Sequence, residues 1–312
     1  MKEKLSFKFK TVIPLFIGLI IVYFSINNIT PLEKINIKNS FVSADYKFIF
    51  LAVLVGVFSH FIRALRWKLL INPLGYNLRL KNSIMSIFIC FLANLGIPRS
   101  GEFLRASLIN FYDGIPFDKT LGTIFSERVI DLMILLTMIF IGIVSYPIID
   151  FNFEFSAIKT FLFVFSITLI IFLLIFLFKD ILKKSGVTFI NNIKIGVFSV
   201  FKTKNKPLFL AYTLFIWISY FLMFYISKFC MEETSTISLE TIFIAFVAGV
   251  IAMTLTNGGL GAYPLAISSV LVQYDISFEN AFAFGWIVWT SQTLLIIIFG
   301  SLSFIFLPIL NK

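Results

Sequence analysis

The stretch NLGIPRSGEFLRASLI (94–109) places Asn94, Pro98, Arg99, Gly101, Glu102 and Arg105 within one short segment of an otherwise apolar chain. Pro98 must end one helix, and Ser100 or Gly101 stands where it can cap another that starts near Glu102. Such a start presents unpaired N–H groups and the positive end of a helix dipole, which together stabilise a phosphate. Arg99 just before the cap and Arg105 one turn in have the planar fork that grips phosphate oxygens bidentately, a geometry lysine does not reproduce. The competing reading is that Glu102 and Arg105, at i and i+3, neutralise one another at the helix start.

A second constellation is SERVIDLM (126–133), with Glu127 and Asp131 at i and i+4 and Arg128 within reach of Asp131 at i+3. An ionised side chain at mid-bilayer costs about 2.5–3.5 kcal/mol on insertion scales, so the trio must sit near an interface or face a polar interior. Two roles fit: an ion pair that locks Arg99 or Arg105, or a coupling proton on Glu127 or Asp131. In SHFIRALRWKLL (59–70), His60, Arg63 and Arg66 lie along one helical face. Snorkelling at the interface accounts for Arg66, Trp67 and Lys68, and Arg63, a turn deeper, is the better headgroup ligand. His60, the sole histidine, reads as a buried hydrogen-bonded residue, and multi-histidine metal sites are excluded.

In TNGGLGAYP (256–264), Asn257, Gly258, Gly259 and Gly261 permit positive φ and close backbone approach, as a substrate gate or a tight packing turn would require. No lysine follows and no GxGxxG spacing is present, so a nucleotide loop is excluded. Cys90 and Cys230 are far apart in apolar surroundings and suggest neither a disulfide framework nor metal ligation. No cofactor is expected.

The elements that must position these residues are membrane helices. Of 312 residues 59% are hydrophobic, 13% are charged and 41 are Phe, whereas a soluble domain carries about 25% charged residues. The expected class is an all-α polytopic membrane protein in the inner or plasma membrane. Apolar spans run over 11–27, 46–62, 127–147, 158–178, 207–229 and 281–307, giving six full crossings. The basic N-terminus and first span read as a retained helix rather than a cleaved signal peptide. Two further runs, 82–97 and 239–256, end in the Pro/Gly breaks and resume as segments too short to cross, so both read as re-entrant hairpins. Backbone freed at such breaks must be buried in protein or line a polar cavity.

The formal charge of +10 follows topology rather than nucleic-acid binding. Residues 63–81 carry five cations and no acid, 179–206 carry seven Lys against one Asp, and 229–311 carry five acids and no Lys or Arg. The basic segments belong in the cytoplasm, which puts both termini there. The first hairpin then enters from the cytoplasm and the second from outside. That is the sequence appearance of an inverted repeat within a single domain, with halves of about 1–150 and 151–312. Residues 183–203 form a cytoplasmic amphipathic segment with Val187, Ile190, Ile193 and Val197 inward.

Taken together and in this order, RALRWKLL (63–70), IPRSGEFLRASLI (97–109), SERVIDLM (126–133) and NGGLGAYPLAI (257–267) resemble the lysylphosphatidylglycerol synthase transmembrane-region family of flippase-like membrane proteins. The resemblance implies internal inverted symmetry and a role in acting on or moving lipids. It departs at two points. Many relatives have Pro before the glycine pair and Glu after the motif, where Asn257 and Pro264 stand here, so a role for that Glu has no bearer. Bifunctional members also carry a soluble aminoacyl-transferase domain, and none is expected here because the chain stops at Lys312.

The reading reached is a lipid flippase or lipid-linked transporter whose partner is a membrane lipid with an anionic headgroup. A homo-oligomer or an envelope-biosynthesis partner remains open. The alternatives are a membrane-embedded lipid-modifying transferase and a non-transporting subunit of envelope lipid assembly.

Overall fold

The computed structural model describes residues 23, 27, 30–145, 188–256 and 258–311. The described residues form an all-helical molecule with twelve α-helices. Helix α1 (Pro31–Ser43) opens with a reciprocal cap: the Thr30 hydroxyl accepts from the Glu33 N–H, and the Glu33 carboxylate accepts from the Thr30 N–H. Helix α2 (Tyr46–Ile71) follows, capped by Asp45. Its exposed stripe Phe50, Leu51, Leu54 and Phe58 is apolar, as lipid contact requires. Gly56, Ser59, His60 and Arg63 lie on the buried side.

Next come α3 (Leu80–Gly96), α4 (Ser100–Asp113) and α5 (Phe117–Ser145). The second series is α6 (Thr188–Val197), α7 (Ser199–Lys202), α8 (Lys206–Ser227), α9 (Glu232–Ser235), α10 (Leu239–Leu255), α11 (Ala262–Leu271) and α12 (Phe278–Ile309). Three helical stretches are long and apolar enough to cross a bilayer: Tyr46–Leu74, Lys206–Cys230 and Phe278–Ile309. They contain the spans expected at 46–62, 207–229 and 281–307. Most of the span expected at 127–147 lies in α5. The spans expected at 11–27, apart from Tyr23 and Asn27, and at 158–178 lie outside the described residues.

The two broken runs fold as helix pairs. Met85 and Ile89 of α3 pack with Leu104, Leu108 and Tyr112 of α4, and Cys90 lies against Gly101, so α3 and α4 run antiparallel away from the break at Pro98. In the second pair, α10 lies against α11 with Gly249 under the Tyr263 ring. Helices α3 and α10 have 17 residues each, while the returning α4 and α11 have 14 and 10. At 1.5 Å per residue the returns reach about 21 and 15 Å, short of the roughly 30 Å hydrocarbon core. Both pairs pack on α12. Their tips approach each other, since a Cβ on Gly258 would lie 3.3 Å from the Leu95 side chain.

One large core joins α8, α10, α11 and α12 around Phe224, Phe246 and Phe284. A second gathers Trp67, Leu70, Ala106, Ile109, Leu121 and Ile124 where α2, α4 and α5 converge. Helix α6 packs on the start of α5 through a close approach of Gly196 to Gly122. This shifts the inward face expected for the amphipathic segment. Gly196 is buried while Ile190 is exposed, because only glycine lets the two backbones meet. Val187 lies outside the described residues.

Gly101 is the tightest point of the first hairpin: a Cβ there would stand 2.0 Å from the Cys90 carbonyl oxygen. Gly101→Ala is expected to lower stability by about 1–3 kcal/mol, the range for forced overpacking. Gly96→Ala, at a position with nothing within 4 Å of the added carbon, should change it by less than about 0.5 kcal/mol. Thermal unfolding of the two purified variants, compared with the parent, checks the contrast.

Candidate functional site

Five charged side chains from three helices form one continuous chain in the interior. Arg63 on α2 pairs with Asp131 on α5 (Nη1 to Oδ2, 3.1 Å), whose other oxygen takes Arg66 Nη1 at 2.8 Å. Arg66 Nη2 reaches Glu127 Oε1 at 3.4 Å, and Glu127 Oε2 takes Arg105 Nη1 from α4 at 2.8 Å. Glu127 gives one oxygen to each of two guanidiniums, while Arg66 spans both oxygens of Asp131, its Nη2 lying 3.3 Å from the Oδ2 that Arg63 also holds. The i and i+4 spacing of Glu127 and Asp131 faces the i and i+3 spacing of Arg63 and Arg66, so two helix surfaces meet in register. Arg66, Glu127 and Arg105 are 0%, 1% and 2% exposed, which removes them from solvent screening.

Surrounding groups complete the wall. Arg63 donates to the Tyr220 hydroxyl on α8 (3.0 Å), and Arg66 Nη1 also lies 3.4 Å from Thr213 Oγ1. The Arg105 guanidinium sits 3.5 Å from the centroid of the Trp67 ring, and the Trp67 indole N–H donates to Thr123. His60 lies among the rings of Phe88, Phe91 and Tyr220. It is buried as expected, but its Nδ1 has no hydrogen-bond partner.

The balance of charge is uneven. Among the described residues three buried guanidiniums, Arg63, Arg66 and Arg105, face two buried carboxylates, Glu127 and Asp131. Among the described residues the Nε atoms of all three arginines and Nη2 of Arg105 have no hydrogen-bond partner. An unbalanced buried cation is costly and is relieved by an anion.

The α3–α4 break lies next to this chain. Asn94 holds it closed: its Oδ1 accepts from the Gly101 N–H at 2.8 Å, and its Nδ2 donates to Glu102 Oε2 at 3.2 Å. Glu102 also pairs with Arg128 at 2.9 Å. Helix α4 starts at Ser100 rather than near Glu102, and the cap position is Arg99, in the left-handed region at φ 61°. The Gly101 N–H is thus already satisfied by a side chain from α3.

The pairs at i and i+3 within α4 and within α5 are not made, whereas the ion pair between the SERVIDLM carboxylates and Arg105 is. Arg105 turns to Glu127 instead of Glu102, and Arg128 to Glu102 instead of Asp131. Arg99 is exposed while Arg105 is sealed against Trp67, so the two are not brought together around one point. Pro98 is half-buried at the turn.

In the second break Gly258, Gly259 and Gly261 all adopt positive φ, at 64°, 76° and 71°. The Trp289 indole N–H of α12 donates to the Gly258 carbonyl at 2.8 Å. Asn257 lies outside the described residues. Among the described residues no group of three or more His, Cys, Asp or Glu could hold a metal ion.

Arg66 is the member that the sequence reading misplaced. It does not snorkel to the interface but sits at the centre of the ion chain, and Trp67 beside it is fully buried. The readable signal was its three-residue spacing from Arg63 set against the carboxylate pair on SERVIDLM. Tyr220 and Thr213 carried no such signal, because only packing of α8 on α2 brings them in.

Apolar spans, broken helix pairs and a buried arginine–carboxylate chain together define a multi-pass membrane protein. Within that class, the chain belongs to the lysylphosphatidylglycerol synthase transmembrane-region family, whose model matches residues 11–300. It is also similar to the UPF0104 membrane protein MJ1595 of Methanocaldococcus jannaschii, 28% identical over 137 residues. That match spans 43% of this chain and 41% of the relative's length, under half of each. No solved structure matches the chain.

Asp131→Asn strips Arg63 of its carboxylate and leaves Arg66 with a weak contact to Glu127 alone. The expected loss is about 3–5 kcal/mol, as for other broken buried pairs. Arg128→Gln, at a side chain 37% exposed, should lose less than about 1 kcal/mol. Denaturant or thermal unfolding in a fixed detergent distinguishes the two.

Proposed function

We propose that the protein moves a phosphate-bearing lipid across the membrane, with the headgroup passing the α3–α4 break while the acyl or prenyl chains stay in the bilayer. The observation that carries this reading is the excess buried guanidinium of the Arg63–Asp131–Arg66–Glu127–Arg105 chain, with N–H donors left open on Arg105. A lipid phosphate supplies the missing negative charge and accepts from such donors. Arg99, exposed at the turn, is the first cation an arriving headgroup meets.

The pairing of two short-return hairpins whose tips approach at Leu95 and Gly258 supports alternating access at a shared point. The repeated order of long helix, 17-residue helix, break, short helix and long helix, seen in α2–α5 and again in α8 and α10–α12, supports halves of inverted topology. In this reading the basic segments, both termini and the mouth of the first hairpin lie in the cytoplasm, and the second hairpin opens outside. Glu127 and Asp131, with every oxygen engaged by arginine, serve as structural counter-charges.

The test is transbilayer movement in liposomes containing the purified full chain and a panel of labelled anionic and isoprenoid-linked lipids. Arg99→Gly removes the charge and relieves the left-handed residue, so its stability should be unchanged or raised by about 1 kcal/mol. The expected result is movement of one lipid class by the parent and at least a tenfold slower rate in Arg99→Gly. A folded parent protein that moves none of these lipids overturns the proposal.

A further inference from the structure

Arg128 stands in the outward-facing stripe of α5. Phe125, Leu132, Met133 and Ile141 of that stripe are exposed, and Arg128 falls three positions after Phe125 and four before Leu132, on the same helical face. Its side chain is 37% exposed, beside Phe125 at 46% and Leu132 at 48%. The neighbouring α4 presents a similar surface, with Phe103 and Phe111 exposed. A guanidinium therefore lies in a groove between two faces whose apolar side chains belong in lipid.

Its depth is not that of an interfacial anchor. Arg128 lies nine positions beyond Lys119 in the charged start of α5, about 14 Å of helix. Glu102 lies eleven positions before Asp113, the end of α4 nearest that start, or about 16 Å. The guanidinium thus reaches across to Glu102 at its own level and does not extend back toward the surface. Charged side chains within a membrane span almost always face the protein interior. Glu127 and Asp131 do so, and Arg128 does not.

Among the described residues Glu102 is the ion-pair partner of Arg128, through Nη2 at 2.9 Å. Glu102 is only 16% exposed, and its other oxygen accepts from Asn94 Nδ2 at 3.2 Å. It therefore keeps a partner when Arg128 turns outward. With the adjoining buried chain, the guanidiniums of Arg63, Arg66, Arg105 and Arg128 stand against the carboxylates of Glu102, Glu127 and Asp131 among the described residues. This excess of positive charge favours an anionic headgroup over a zwitterionic one.

We infer that the α4–α5 groove holds the phosphate of one anionic phospholipid against the outer surface of the protein, with Arg128 as its ligand and Glu102 as the carboxylate it displaces. The fork of Arg128 suits phosphate oxygens, and the acyl chains follow Leu132, Met133 and Ile141 along α5 toward the middle of the bilayer. A free phosphate gains nothing from those apolar faces, so the source is the membrane. The inference concerns a lipid held at the surface and stands whether or not headgroups move past the α3–α4 break.

The experiment places a bimane label at Leu132→Cys in the full chain, where the native Cys90 and Cys230 are buried. Quenching is read in phosphatidylcholine bilayers containing brominated phosphatidylglycerol, phosphatidylethanolamine or phosphatidylcholine. A label at Leu302→Cys, exposed on α12 and about 10 Å of helix from Ile309, reports the preference that the basic segments create at any position. The preference for phosphatidylglycerol over phosphatidylcholine should be at least threefold greater at Leu132 than at Leu302. Arg128→Gln, expected to unfold close to the parent's temperature, should bring the two labels level. Glu102→Gln, which removes the competing carboxylate, should raise the preference at Leu132. Equal preference at the two labels in the parent, a preference that survives Arg128→Gln, or one lost in Glu102→Gln overturns the inference. So does stronger quenching by phosphatidylethanolamine than by phosphatidylglycerol, or a preference abolished by inorganic phosphate, which identifies a site for a soluble anion.

Discussion

The interior of this protein depends on Arg66. Among the described residues it is the one side chain that touches both buried carboxylates, with Asp131 at 2.8 Å and Glu127 at 3.4 Å, and through them it binds α2 to α5 and, by way of Arg105, to α4. Charges removed from water cost several kcal/mol each unless paired with good geometry. The alternating order of guanidinium and carboxylate supplies that pairing four times with only five groups. Because Arg105 is held at one end of this chain and against Trp67, the rotation of α4 is set, and with it the placement of the Asn94–Gly101 closure at the break.

Much of this was legible in the sequence where chemistry is local. Apolar runs announced the long helices, Pro98 and the glycines after Thr256 marked the two breaks, and Glu127 with Asp131 declared a polar face on an otherwise greasy helix. The residues that failed were those whose role depends on a distant helix. Arg66 beside Trp67 has the composition of an interfacial anchor, and nothing within that segment reveals that a carboxylate pair some sixty residues later stands opposite. Similarly, residues 183–203 suggested an inward face of Val187, Ile190, Ile193 and Val197; Ile193 and Val197 are half-buried, but Ile190 is exposed and the closest approach is made by Gly196, a residue invisible to a hydrophobic pattern.

The two hairpins differ in how they are closed. In the first, a side chain does the work: Asn94 satisfies an N–H at the start of α4 and orients Glu102 toward Arg128. In the second, positive-φ glycines make the turn and the contact from outside comes from Trp289 on α12. Polar closure beside a charged cluster and backbone closure beside an indole are different ways to pair the peptide groups that a broken helix leaves open.

The ion chain also constrains biogenesis. Arg63 precedes its partner Asp131 by 68 residues, and Arg66 precedes Asp131 and Glu127 by 65 and 61. At roughly 5–20 residues per second, synthesis leaves both arginines without counter-charge for several seconds. During that interval α2 is a helix with two unpaired cations near one end, more at ease at the membrane surface than fully seated. The packing of its buried end is therefore completed only once α5 is available to pair with it.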